Sequence, residues 1–424
     1  MDAFRVFFMT SSDGMEINVD SITDEGAKLF YSLMQCFGEL KDGKLYLKAE
    51  QQANKQTKER LERFSEEFSL QLPALKRLNK KISCLAEDEY FLILGGLPTD
   101  TKVKHQLEIY LSVLNRNKGQ EVVEEEFLAE LEKAQSVFPT LLDNYNINQP
   151  RTDRRTIIGS RNKSSRVCRF CEKGISDGAT FRKVAHAIPE GIGNKNIILA
   201  DECDDCNEYF GKEIEPHLVR HLDIYRAFLG VKGKNGLPTI TYNNGKITHK
   251  DEMAVIVTQD FEKVSEEEFI VTLKSNKKFS PLKFYKALVK IALSTVSSDV
   301  IHDFRDTCEW LSSLGEEAVD LPRIASCVLH AGFSNHPQVT NYIRKNDDHN
   351  LPYFFSEFRI GSFVYVFIVP FSKKDKLQFL EVGEYEGFWG RLEHYAAVKT
   401  WRFDIVDTAA DITITERIHI KKRL

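Results

Sequence analysis

Two CxxC pairs, Cys168/Cys171 and Cys203/Cys206, constrain this chain more than any other feature. Between Cys171 and Cys203 lie 31 residues, and each pair presents two sulfurs on one tight turn. Four thiolates so arranged can close a tetrahedral shell around one borderline-soft cation, for which zinc is the usual choice. A redox dithiol is the other chemistry a CxxC turn supports. A shell of four cysteines has no open position, so a zinc held there is structural and any catalysis falls to other residues.

The chain's 424 residues exceed what one hydrophobic core usually serves, which predicts two or three domains. Hydrophobic residues at 42% and charged residues at 29% are ordinary for a globular protein. With a formal net charge of −5, any contact with nucleic acid must come from local basic patches. The opening MDAFRVFFMTSSDG lacks a small-residue cleavage pattern, and the longest apolar run, from Phe363 to Val369, is too short to span a bilayer. These features lead us to expect a cytoplasmic protein with reduced thiols and no membrane partner. In that compartment isolated Cys36, Cys84, Cys308 and Cys327 read as buried core thiols.

Pattern divides the chain into an α+β multidomain arrangement. Residues 1–146 read as a mostly helical domain with strands at Arg5 to Met9 and Tyr90 to Leu94. Helices around Leu29 to Phe37, Gln52 to Phe68 and Glu124 to Leu142 carry apolar stripes. Residues 147–166 form a basic linker. Between 151 and 166, Arg151, Arg154, Arg155, Arg161, Lys163 and Arg166 face Asp153 alone, so six minus one gives +5. That run reads equally as a solvated linker or as an arm that neutralises phosphates. Residues 167–232 hold the cysteine module, and 237–424 a C-terminal α/β domain. The latter includes an Asn244-Gly245 hairpin, a helix opened by Ser280-Pro281 and a central strand at Phe363 to Val369. Lys283, Lys286 and Lys290 share one face of that helix. With Lys274, Lys277 and Lys278 they read as a solvated surface or, alternatively, as a phosphate contact.

Within the module, TFRKVA at 180–185 reads as a strand leading to His186, and Ile188-Pro189 turns the chain. A helix starts near Asp204-Asp205, with Asn207 directly after the second CxxC. His217 and His221, at i and i+4, read as a polar helix face rather than a metal pair.

CRFC at 168–171, HAIP at 186–189, GNKN at 193–196 and CDDCN at 203–207, followed by Phe210-Gly211, together resemble the HNH endonuclease family. The likeness is to its zinc-stabilised form, in which paired CxxC motifs flank a ββα-metal fold. It covers roughly 60 residues. By that resemblance the central module would be a ββα-metal HNH nuclease with a four-cysteine zinc. His186 would be the general base, Asn196 the asparagine that braces the loop, with Asn194 also open for that role, and Asn207 a ligand of a catalytic Mg²⁺ or other divalent cation. The family often places a metal-binding acid or histidine just before the base, where this chain has Ala185. Glu215 is the nearest acidic replacement, with Glu190, Asp201 and Glu213 behind it. On a regular helix Asn207 and Glu215 lie about 12 Å apart, so both reach one metal only if the helix deviates.

The implied activity is metal-dependent hydrolysis of DNA phosphodiesters. The large flanking domains suit a restrained nuclease of a bacterial defence or toxin system, with a regulatory protein or a homo-oligomer as partner. The alternative, motivated by Ala185, is a catalytically inactive zinc-braced nucleic-acid-binding protein.

Overall fold

The computed structural model describes residues 3–11, 14–20, 23–96, 98, 100–117, 122–152, 155–160, 162–228, 230–232, 236–237, 239–250, 253–313, 319–329, 336–396, 398–406 and 410–421. The chain forms two compact units, residues 1–143 and 144–424. Among the described residues no helix is long and apolar enough to cross a membrane.

In the first unit the second half of the strand Ala3–Met9, from Val6 to Met9, is buried on both faces, and its side chains alternate between two cores. Val6 and Phe8 join Ile17, Leu33, Leu61, Leu78 and Phe91 on one side, while Phe7 and Met9 join Leu92, Leu111 and Leu114 on the other. The helices Asp24–Gln35, Lys55–Phe68 and Ala74–Ser83 supply the first core, and Thr101–Arg116 and Val123–Val137 the second. The sheet between them is antiparallel, in the order Gly14–Asp20, Ala3–Met9, Tyr90–Leu94, Glu50–Gln52. The apolar runs VFFM at 6–9 and YFLIL at 90–94 betray two of these strands in the sequence. Glu50–Gln52 is too short and polar to announce itself.

The second unit is organised around the helix Pro281–Ser294. Ser280 caps it by accepting from the Lys283 N–H at 3.2 Å, and Pro281 sits in the first turn as expected. Twelve of its residues are buried, so it is a helix wrapped on all sides, with no solvated face. It shares one core with Phe210, Ile214 and Leu218 of the cysteine module and with Phe354, Phe358 and Phe367 of a six-stranded antiparallel sheet. That sheet runs Arg402–Asp404, Ile324–Val328, Phe363–Ile368, Phe354–Ile360, Gln338–Arg344, Tyr145–Asn148, which puts Phe363–Ile368 in the interior. The lysine face read as solvated is corrected here: Lys286 and Lys290 are buried, at 2% and 0% exposure. Lys286 donates to the Ser313 carbonyl at 2.9 Å and lies over the Trp310 ring.

A second sheet carries the hairpin Thr239–Tyr242/Gly245–Lys250. Its two-residue turn is Asn243-Asn244, one place earlier than expected, because Gly245 already pairs with Tyr242. The glycine is required for another reason: a Cβ there would lie 2.6 Å from the Val257 carbonyl oxygen. Ile412–Lys421 pairs with Glu268–Phe279 along the outside of this sheet.

Candidate active site

The first CxxC forms a tight knuckle. Cys168 N–H donates to the Lys173 carbonyl at 3.0 Å and Glu172 N–H to the Cys168 carbonyl at 2.9 Å, with Glu172 at φ +59° to close the turn. The second CxxC opens the helix Asp204–Tyr209, where the Cys203 sulfur is the cap and accepts from Cys206 N–H at 3.5 Å. The four Sγ atoms lie within 4.8 Å of one another, and Cys171 and Cys203 are 3.7 Å apart. A tetrahedral Zn–S shell with bonds of about 2.3 Å separates its sulfurs by roughly 3.8 Å. The donor set and spacing are therefore compatible with a zinc site. Hydrogen bonds from its neighbours draw the Cys168 thiol below its ordinary value, while the Cys203 thiol is pushed up to about 12 by Cys168 beside it. Sulfurs crowded like this resist ionising together until a cation shares their charge.

Between the knuckles, Ile197–Leu199 pairs antiparallel with Ala185–His186 and parallel with Thr156–Ile158. The expected strand over 180–185 is reduced to its last residue and His186. The reason is Asp204: its carboxylate accepts from the Thr180 hydroxyl at 2.6 Å, Arg182 N–H at 3.0 Å and Lys183 N–H at 2.8 Å. Those donors serve the start of the second-knuckle helix instead of a strand ladder.

Asn194 and Asn196 divide the loop between them. The Asn194 side-chain oxygen accepts from Asn196 N–H at 3.1 Å and Ile197 N–H at 3.0 Å, and the Asn196 amide donates to the Thr152 carbonyl at 2.8 Å. Asn194 closes the turn while Asn196 ties it to the preceding segment.

After Asn207 the helix does not run regularly. Phe210–Ile214 forms a π-helical turn before the helix Glu215–His221. On an undisturbed helix, residues eight apart are offset by about 80°, but one residue absorbed by a π-bulge leaves them about 20° apart, on one face. Asn207 and Glu215 accordingly line the same cleft as His186, a space of about 550 Å³ that Glu190, Gly211, Pro216, Arg220, Asp223, Arg226 and Lys277 also border. Burial holds the His186 imidazole below the ordinary histidine value of 6.5, with Glu190 opposing and Lys290 adding to the shift. The ring is thus biased to its neutral form, and its buried Nδ1 has no partner among the described residues.

Lys290 is the residue the sequence reading missed here. Its ammonium, fully buried, donates to the His186 carbonyl at 3.0 Å and to Glu215 Oε1 at 2.9 Å, and lies 3.3 Å from Glu202 Oε2. It is the junction between the core helix and the HNH-like segment. Beyond that ion pair Glu202, at 2% exposure, has neither oxygen hydrogen-bonded among the described residues, and burial pushes its carboxyl up to about 7. A second junction is Arg169, whose guanidinium grips Asp201 with two bonds of 2.9 Å and donates to the Leu293 and Val296 carbonyls at the end of the same helix. Asp201 is therefore committed, and Glu213 faces Lys283 at 3.6 Å.

His217 and His221 are not a polar face. His217 Nδ1 accepts from Ser280 N–H at 2.8 Å, His221 Nε2 meets the Tyr365 hydroxyl at 3.1 Å, and burial lowers both rings to about 4. Of the basic arm, Arg154 and Arg161 lie outside the described residues; Arg155 and Lys163 are exposed, and Arg166 donates to the Ser160 carbonyl at 2.9 Å. None of the described members borders the cleft. Cys36, Cys308 and Cys327 are buried as expected, whereas Cys84, at a helix end, is exposed.

The segment thus combines a zinc-compatible knuckle pair, a histidine on a short strand and an asparagine in the helix that follows the second knuckle. Residues 168–223 match the family model described as HNH endonuclease, and this likeness of one segment of the chain suggests nuclease activity and a nucleic-acid substrate. No curated protein and no solved structure is matched by the chain.

Proposed function

We propose that the chain is a metal-dependent endonuclease that hydrolyses DNA phosphodiester bonds, with His186 as general base. The observation that carries this reading is the convergence of His186, Asn207 and Glu215 on one cleft. Neutral at working pH, the imidazole takes the proton of the attacking water at a ring nitrogen. Asn207 offers a side-chain oxygen, and Glu215 keeps Oε2 for the cleft while Lys290 holds Oε1. Those oxygens suit a hard cation such as Mg²⁺, with water completing its shell. Once bound, the cation supplies positive charge to the phosphate oxygens and the leaving group. Asn194 and Asn196 hold the loop that aims His186.

The test incubates purified protein with plasmid, linear and single-stranded DNA and with RNA across divalent metals. His186→Ala, folded and metal-loaded at the cysteines, is expected to lose about 10²- to 10⁴-fold in cleavage rate. Cleavage at the wild-type rate would remove His186 from the mechanism. A pH profile adds a second check. Because the histidine value lies below 6.5, kcat/KM should reach its plateau by neutral pH and fall only on the acid side of 6.5; an acid limb centred above 7 would contradict a neutral, buried base.

A restrained effector in a bacterial defence or toxin system fits the dependence of this site on Lys290 from a helix outside the matched segment. Free, buried thiols at Cys36, Cys308 and Cys327 support a cytoplasmic setting. The second reading, a zinc-braced binding protein without catalysis, is favoured by Ala185, whose buried methyl occupies the position before the base. It predicts DNA binding with no cleavage under any divalent metal.

A further inference from the structure

The cleft has a second wall, opposite in charge to Glu190 and Glu215. Arg220 comes from the helix Glu215–His221, Asp223 and Arg226 from the helix Asp223–Phe228, and Lys277 from the strand Glu268–Phe279. Arg226 is 8% exposed; its Nη1 holds Asp223 Oδ1 at 2.8 Å, and its buried Nε has no partner among the described residues. Lys277 Nζ reaches the other oxygen of Asp223 only at 3.7 Å, and its side chain is 56% exposed. Arg220 is steered by donating to the Lys278 carbonyl at 3.1 Å. Two of the three cations share the Asp223 carboxylate and Arg220 stands beside them, leaving a net charge of +2 on this wall. A guanidinium nine-tenths buried with an N–H unpartnered among the described residues is left open to a further acceptor, which a bound anion can supply.

We propose that Arg220, Arg226 and Lys277 form a phosphate subsite that holds a non-scissile backbone phosphate of the nucleic acid beside His186. The contact is to the backbone, so it fixes register and carries no base preference. Asp223 orients Arg226 and keeps Lys277 near without neutralising the wall. The inference rests on the nuclease reading for the identity of the ligand, but its consequence is a binding property that needs no turnover.

The experiment uses full-length His186→Ala protein, zinc-loaded and with no added divalent cation, with fluorescein-labelled duplex DNA of two unrelated sequences, and anisotropy titrations from low to moderate salt. Adding Lys277→Ala and Arg220→Gln is expected to weaken binding of both sequences equally and to lower the slope of log Kd against log[salt] by about two, one for each cation removed. Lys246→Gln, an exposed lysine outside the cleft, should leave the slope unchanged. Wild-type slope and affinity in the double variant would overturn the subsite, and so would absence of DNA binding by the parent protein. If cleavage assays show His186 to be dispensable while the slope still drops, the subsite stands and the catalytic assignment alone fails.

Discussion

Lys290→Met will destabilise the second unit by roughly 3–5 kcal/mol, the usual cost of breaking a buried ion pair from one side. The ammonium sits at zero exposure between Glu202 and Glu215, and its removal strands a Glu202 carboxylate that has no other donor among the described residues. The penalty will depend on pH, and its sign follows from Glu202. Burial has raised that group from 4.5 to about 7, so its contribution to stability is complete below about 4.5 and is lost as pH rises through about 7. Without Lys290 the carboxyl is pushed higher still. The variant should therefore lose less at pH 5, where Glu202 carries a proton, than at pH 8. Urea midpoints at the two pH values measure this, and Lys290→Met/Glu202→Gln should recover part of the loss. A variant within about 0.5 kcal/mol of wild type at pH 8 would mean that the charge network contributes nothing.

The same residue shows where sequence legibility ends. The CxxC pairs, His186 and Asn207 were legible because a knuckle, a strand end and a helix start are local and their spacing is fixed by short-range geometry. Ser280-Pro281 was legible for the same reason. Lys290 was not, because the stripe Phe284, Leu288, Ile291 marks one face of a helix and carries no sign that other elements cover the rest. Two lysines on the opposite side of such a stripe normally face water; here Glu215 and the His186 carbonyl, 75 and 104 residues away, receive one of them. The joint reach of Asn207 and Glu215 was hidden in a different way. Regular helical geometry separates them, and nothing in FGKEI announces the π-turn that realigns them. The wall of Arg220, Arg226 and Lys277 is tertiary too, since its lysine arrives on a strand of another sheet.

Cys206→Ser, or stripping the metal with a strong chelator, is expected to unfold the cysteine module while leaving the first unit folded. Structural zinc in small domains contributes roughly 10–16 kcal/mol of apparent binding energy at neutral pH, and that energy is folding energy. Here the sulfurs fix both ends of the segment that carries His186: Cys168 and Cys203 are buried, and Cys203 caps the helix that presents Asn207. Arg169, one residue past the first ligand, then joins the knuckle to the end of the Pro281–Ser294 helix. Loss of the knuckle should therefore spread into the core shared by the module and that helix, whereas residues 1–143 form a compact unit with two cores of their own. The wild-type protein should contain one zinc per chain by elemental analysis and the variant close to none. Hydrogen exchange should show lost protection across 168–228 and 281–294, with residues 3–9 and 90–94 retained. Full protection of 168–228 in metal-free protein would show that the apolar core alone holds the module and that the four cysteines are dispensable to its fold.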